Sequence, residues 1–509
     1  MLPWLKFVWI SVALGYLGCA LEEDDNSSDV SLELSKVWGP GLRPDFLMPV
    51  RYFYIQLVNK DGSNMTESVK QGAIRATVST VSGARVRIWT QLLDRHDGTY
   101  IVRYRPFAST TDILISVELN GHHIAQSPYH VLGDIRHETC NCPQQTVDEW
   151  ASSVGCPATY LQIEHDLEHF SNVDMKHVAK EAIERFKDEG RHSICHYKVI
   201  DNKIYRKCYG EHIGFNMFSD AILLSLTRKM FLSDVEFFIN LGDWPLEKKP
   251  LEDKPVPIFS WCGSKETRDI VLPTYDITEA SLEMMNRVSL DIFSVQANTE
   301  TKWENKSSIA FWRGRDSRKE RLQLVEMSLK HPDLIDARLT NMFFFPKNDI
   351  KYGEIAEHVS FFDFFKYKYQ LNIDGTVAAY RLPYLLAGDA AVFKQDSDYY
   401  EHFYAELERN VHYIPIKHDL SDLLEKIQWA RKHDDEVQKI AKNGQRFARE
   451  YLTPADILCY HVRVFESFAK LLKKKPKGIK DFELVKQPDE KDKCLCPKST
   501  PKKASHEEL

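Results

Sequence analysis

Beyond its first twenty residues the chain has no charge-free window of about 20 residues, the length a helix needs to cross a bilayer, so a membrane-spanning helix is excluded. It has no excess of positive charge. With 67 Lys and Arg against 74 Asp and Glu the formal net charge is −7, which argues against nucleic acid as a partner. Cysteine is sparse, and neither Cys140-x-Cys142 nor Cys494-x-Cys496 has the spacing of a zinc knuckle. No internal repeat is visible, which leaves out repeat architectures.

Lys6, the apolar run Phe7 to Leu17 and the small residues Gly18-Cys19-Ala20 precede the acidic Glu22-Glu23-Asp24-Asp25. This pattern predicts a signal peptide over 1–20. The sequence closes on His506-Glu507-Glu508-Leu509, a variant of the Lys-Asp-Glu-Leu address read by a KDEL-type retrieval receptor. Together the two ends predict residence in the lumen of the endoplasmic reticulum. His506 replaces the usual Lys, and its ordinary pKa of about 6.5 predicts retrieval that depends on pH. Glycosylation sequons begin at Asn26, Asn64 and Asn305. In an oxidising lumen the cysteines left after signal removal are expected in disulfides, with one over, because their number is odd.

A chain of 509 residues with 43% apolar content can bury more than one core. Residues 30–134 read as short alternating strands near 52–58, 74–81, 85–89, 100–104 and 112–119, separated by Asp61-Gly62, Asp97-Gly98 and Asn120-Gly121. Such spacing predicts a β-sandwich. A linker follows over 135–152. From 153 to 475 strands and helices alternate, the signature of α/β architecture. Within it, 154–235 is expected to be mostly helical, with an amphipathic stretch from Val178 to Glu189. Buried strands follow at 236–241, 257–261, 308–312, 369–373 and 390–394, and helices at 423–432, 435–451 and 454–472. Residues 476–509 form a polar tail expected to be extended or disordered.

In open α/β sheets ligands bind beyond the carboxyl ends of strands, so three strand ends matter most. Strand 308–312 runs into Arg313-Gly314-Arg315, and Ser317-x-x-Glu320 predicts a capped helix whose start, with Arg315, Arg318 and Arg321, could meet an anion or simply face solvent. Strand 369–373 turns at Asp374-Gly375 and predicts a helix from Val377 to Leu386, N-capped by Thr376 and kinked by Pro383. Arg381 on this apolar helix needs a partner, either a diphosphate or a buried carboxylate. Strand 236–241 ends in Gly242-Asp243-Trp244-Pro245, where Asp243 has the place of a general base, although an Asp there can also be only a turn residue.

Two resemblances then become specific. Trp38-Gly39-Pro40-Gly41-Leu42, Asp97-Gly98-Thr99-Tyr100 and Gln126-Ser127-Pro128-Tyr129 are similar to the landmarks of a filamin-type immunoglobulin-like repeat. Phe237-Phe-Ile-Asn-Leu-Gly-Asp243-Trp-Pro, Ala310-Phe-Trp-Arg-Gly314 with Arg321, Lys366-Tyr-Lys-Tyr-Gln-Leu-Asn372, Ala378-Ala-Tyr-Arg381 and His412-Tyr-Ile-Pro415 resemble the ordered blocks of the CAP10-type protein O-glucosyltransferases, glycosyltransferase family 90. With the filamin-like module and the retention signal, the resemblance points to the KDEL-motif-containing branch. It implies a β-sandwich followed by a GT-B-type enzyme with two Rossmann-like halves. It further implies inverting transfer of glucose from UDP-glucose to a serine of a folded EGF-like domain, in Notch- or fibrillin-type clients, without metal or other cofactor. By matching position, Asp243 is the base, Arg321 and Arg381 hold the diphosphate, and Thr376, Val377, Ala378, Ala379 and Tyr380 line the donor site. Arg315 joins that set by position, but the better-known family member has a small Ser there. The acceptor stretch falls near 271–290, where Thr274-Tyr-Asp-Ile-Thr-Glu-Ala-Ser departs from the aromatic-rich family version. Asp396-Ser397-Asp398 mimics a metal-binding Asp-x-Asp and is read as surface charge. A donor such as UDP-xylose, or a non-catalytic glycoprotein-binding factor of the endoplasmic reticulum, are the alternative readings.

Overall fold

The computed structural model describes residues 26–81, 85–187, 192–249, 255–284, 291–489, 494 and 496. The expected signal peptide, 1–20, and the tetrapeptide 506–509 lie outside the described residues.

The N-terminal strands pair as two sheets. One runs in the order Lys36–Trp38, Arg51–Gln56, Thr99–Pro106, Ile88–Asp94. The other joins Ile74–Thr80 to Thr110–Leu119, which also pairs with His122–His123 and Tyr129–Ile135. Alternation decides which side chains meet between them. Ile113, Ile115, Val117 and Leu119 point inward and are buried with Phe53, Ile55, Val102 and Tyr104. The strand expected at 85–89 lies instead at Ile88–Asp94, because its register with Thr99–Pro106 is set by the turn through His96 and Gly98, both at positive φ.

The rest of the chain builds two further large sheets, besides a short antiparallel pairing of Gly263–Ser264 with Tyr399–Tyr400. The first has six strands, in the order Ile270–Val271, Ile258–Ser260, Val235–Asn240, Ile194–Ile200, Lys203–Tyr209, Glu483–Val485. Its first three are mutually parallel and the others antiparallel to their neighbours. Here 154–235 is not mostly helical. Between the helices Met175–Phe186 and Asn216–Lys229 lies the hairpin Ile194–Ile200 with Lys203–Tyr209. Asp201 and Asn202 both take positive φ at its two-residue turn, the backbone twist that tight hairpins prefer.

The second sheet is wholly parallel, in the order Ile335–Asn341, Ser307–Arg315, Tyr367–Asn372, Ala391–Gln395, Ile414–Ile416. The helices Leu423–Lys432 and Asp434–Tyr451 cover it. The helix Pro454–Ala469 starts with a capping box between Thr453 and Asp456 and returns to the first sheet, where Phe465 stacks on Phe237 at 4.9 Å.

The tail departs from its expected extended or disordered state. Glu483–Val485 adds an edge strand to the first sheet, and Cys494 and Cys496 form disulfides with Cys140 and Cys142. Cys156–Cys459 and Cys195–Cys208 complete the pairs, and the cysteine left over is the buried Cys262. No helix among the described residues is long and apolar enough to cross a membrane.

The sandwich is not a loose appendage. Phe46, Met48, Tyr52, Leu93 and Ile101 belong to the same apolar cluster as Phe237, Phe259 and Phe465, and Tyr52 meets Phe293 edge-on at 4.8 Å. Arg103, 1% exposed, pairs with Asp291 at 2.5 Å and donates to Ser294 Oγ at 3.0 Å and Gln91 Oε1 at 2.7 Å. Removing one partner of a buried pair strands the other charge. Arg103→Ala is therefore expected to destabilise the full chain by about 3 to 5 kcal/mol in chemical denaturation. An unchanged unfolding midpoint would show that the pair does not fasten the two parts together.

Candidate active site

A cleft of about 620 Å³ opens where strand ends of the two sheets face each other. The structure brings Asp243, Arg315, Arg321, Thr376, Val377, Ala378, Ala379, Tyr380 and Arg381 together along its walls. Asn64 and Asn305 lie elsewhere and are exposed, Asn64 bridged to Val58 and Asn305 at the end of the 3-10 helix Trp303–Asn305.

One wall is acidic. Asp243 follows the buried strand Val235–Asn240 and stands half-buried between exposed Gly242 and Trp244. Burial raises its carboxyl above the ordinary range, and the charge of Arg315 acts in the opposite sense. Beside it the helix Tyr275–Leu282 presents Tyr275, Asp276 and Glu279 to the cleft. The Asp276 carboxyl is pushed up to about 6 by desolvation, then by Glu279 and Asp243. Asp276 and Glu279 were not singled out in the sequence, although their spacing of three places them on one helix face.

The opposite wall is cationic. The strand Ser307–Arg315 runs on past its expected end at Trp312, with a register shift between Gly314 and Arg315. A side chain at Gly314 would strike the Trp312 ring at 2.5 Å, so packing against that ring, not only approach to a ligand, demands glycine here. Ser317 does not cap the next helix. The N-cap is Arg318, and the helix is Lys319–Lys330. Arg321 lies one turn in, 6% exposed, above the Trp312 ring. It donates from Nε to Asp374 O at 2.7 Å, from Nη1 to Arg315 O at 3.1 Å and from Nη2 to Ile373 O at 3.0 Å. Two of its five N–H groups remain for a ligand.

Nor does a helix start at Val377. The helix is Leu382–Ala387, because one begun at 377 would bury Pro383 in its interior, where the ring clashes and no N–H is available. At the helix start Pro383 meets no such conflict. Consequently 374–381 is an open turn, and among the described residues the main-chain N–H groups of 376–381 donate to no protein acceptor. Unpaired main-chain N–H groups along a cleft wall favour an anion.

Arg381 donates from Nη1 to Arg313 O at 2.6 Å and has no carboxylate in ion-pair range among the described residues, so the buried-carboxylate alternative fails. Desolvation and then Arg315 push its guanidinium down to about 10. Desolvation and then Arg381 push that of Arg321 to about 9. Arg313, by contrast, is neutralised by Asp336 at 2.9 Å. The far end of the cleft, which sequence reasoning missed, is lined by His358, Val359, Phe361, Phe364 and Tyr384.

Asp396 pairs with Arg409 at 2.7 Å and Asp398 with Lys265 at 3.2 Å, so both carboxylates of the Asp-x-Asp are engaged by surface cations. Among the described residues no cluster of three or more His, Cys, Asp or Glu is arranged to hold a metal ion.

Comparison with known proteins places this geometry. Residues 29–130 match the filamin/ABP280 repeat, and residues 151–507 match glycosyl transferase family 90. The chain is 53% identical over 461 residues to protein O-glucosyltransferase 2 of Danio rerio, covering 90% of this chain and 92% of that protein. It is 48% identical over 487 residues to protein O-glucosyltransferase 3 of Homo sapiens, covering 94% and 95% respectively. Protein O-glucosyltransferase 1 of Homo sapiens is more distant, at 31% over 342 residues, 64% of this chain and 83% of that one. A filamin-type repeat ahead of a cleft that sets a carboxylate against unpaired guanidinium groups thus belongs to a glycosyltransferase, and the chain is a member of glycosyl transferase family 90.

Proposed function

We propose that the cleft transfers glucose from UDP-glucose, with inversion, to a serine hydroxyl of a folded EGF-like domain in the lumen of the endoplasmic reticulum. The two sheets are, in this proposal, the Rossmann-like halves of a GT-B enzyme, and retrieval through His506 to Leu509 by a KDEL-type receptor keeps it in place. The observation that carries the reading is the opposition of two walls, Asp243 on one and Arg321, Arg381 and the unpaired N–H groups of 376–381 on the other. The names of the relatives point to glucose as the sugar.

The chemistry follows from that opposition. Asp243 takes the serine proton while the oxygen attacks the anomeric carbon from the face opposite UDP. The bond from that carbon to the diphosphate breaks, and UDP leaves with its electron pair. Negative charge thus grows on the diphosphate in the transition state, where preorganised guanidinium and N–H donors stabilise it more than in the ground state. These donors meet the charge of the leaving group without a metal. Phe361 and Phe364 at the far end supply flat apolar surface for the uracil.

The decisive assay offers UDP-glucose and UDP-xylose together to a folded EGF-like acceptor and weighs the product. Addition of a hexose is expected. Addition of a pentose would reassign the donor, and an unmodified acceptor with either donor would overturn the proposal in favour of a binding factor.

A further inference from the structure

The residue proposed as base lies on a turn with little support from outside, since Gly242 is exposed and Trp244 is 52% exposed. What fixes the turn is a set of buried side chains beneath it. Asn240, 1% exposed at the end of its strand, accepts from Gly242 N at 2.9 Å through Oδ1 and donates from Nδ2 to Trp244 O at 2.7 Å. One amide therefore clamps the main chain on both sides of Asp243. The same Nδ2 donates to Ser260 Oγ at 3.1 Å, and Ser260 donates to Asp269 Oδ1 at 2.6 Å. Asp269, fully buried, accepts from Leu246 N at 2.8 Å and Glu247 N at 2.9 Å, which closes the turn at its far end. The Cys262 thiol donates to Asp243 O at 3.4 Å.

We infer that Asn240 and Asp269, joined through Ser260, are positioning residues that hold Asp243 at its attack distance from the acceptor hydroxyl. The inference rests on Asp243 being the base. Its physical content is that neither isosteric replacement repeats the pattern. Asn240 must accept on one side and donate on the other, so an isosteric Asp would set an oxygen against Trp244 O. Asp269 must accept from two main-chain N–H groups, so an isosteric Asn would turn a donor toward one of them. Neither residue lines the cleft, and the arginines of the donor wall lie at the end of, or beyond, strands of the other sheet. Donor binding should therefore survive when the clamp is broken.

The experiment compares Asn240→Asp, Asp269→Asn and Asp243→Asn in the full chain, with kcat, the KM for UDP-glucose, and UDP stoichiometry by calorimetry. A reacting group displaced by about 1 Å can lose a factor of about 100 in rate. Asn240→Asp and Asp269→Asn should each lower kcat by about 10- to 100-fold, with KM within about twofold and UDP stoichiometry unchanged. Stoichiometry that falls in step with kcat would show lost folded protein instead, and would overturn the positioning role. So would kcat within about twofold of the wild type in both clamp variants while Asp243→Asn is inactive. An active Asp243→Asn would instead sink the base assignment itself.

Discussion

Asp243→Asn is expected to lower kcat by about 10² to 10⁴-fold, the usual contribution of a positioned general base, while the affinity for UDP is retained. The amide keeps the size of the carboxylate and loses its ability to take a proton. The pH dependence gives an independent reading. A general base works only when ionised, so the rate rises with pH through its pKa. Burial has moved that pKa above the ordinary carboxylate value, and the acid limb of kcat/KM should lie correspondingly higher than for a free Asp. Arg315 opposes the shift. Arg315→Ala should therefore move the acid limb further up, and an unmoved limb would separate Arg315 from the base. This gives Arg315 a part that does not depend on touching the donor.

The second large effect is expected at Arg381. Its guanidinium has one main-chain acceptor, Arg313 O, and no carboxylate among the described residues, so a bound diphosphate would be its principal counter-charge. Truncating one member of a desolvated charge pair removes about 2 to 4 kcal/mol, which is about 30- to 700-fold in affinity. Arg381→Ala should weaken UDP by that factor in calorimetry, with the unfolding midpoint nearly unchanged. Arg381→Lys should recover only part of the loss, because an ammonium keeps the charge and loses the planar fork. Arg321 is a less clean probe. Its ties to Asp374, Arg315 and Ile373 mean that Arg321→Ala damages the walls as well as the charge. Wild-type UDP affinity in Arg381→Ala would move the diphosphate away from this wall.

The legible parts of the molecule were those governed by local pattern. Alternation placed most sandwich strands, and the buried runs at 236–241, 369–373 and 390–394 lie within a residue or two of the observed strands. Strand ends then led to the cleft, because a parallel sheet directs its loops to one edge. Misreadings arose where a distant partner decides the local structure. Ile194–Ile200 and Lys203–Tyr209 carry charged residues that blur the alternation, and they hold as strands by pairing with Val235–Asn240 and each other. Glu483–Val485 looks like polar tail until it meets Lys203–Tyr209. Thr376 has the chemistry of an N-cap and Pro383 forbids the helix it would cap, a conflict visible in the sequence but settled only by the open turn. Asp276 and Glu279 join the acidic wall because the helix Tyr275–Leu282 is turned toward Asp243, an orientation that no local pattern encodes.

Two of the disulfides set a timetable for synthesis. Cys140 and Cys142 are separated from their partners by 354 residues, whereas Cys195 and Cys208 are only 13 apart. At about 5 to 20 residues per second, Cys140 and Cys142 wait roughly 20 to 70 s before their partners are made. Cys156, Cys195, Cys208, Cys262 and Cys459 are all made in that interval and offer wrong partners. Native pairing therefore requires either that the first thiols stay reduced or that early bonds are later exchanged. A pulse-chase in the presence of a disulfide isomerase should show the Cys195–Cys208 bond first, Cys156–Cys459 later, and the bonds of Cys140 and Cys142 last.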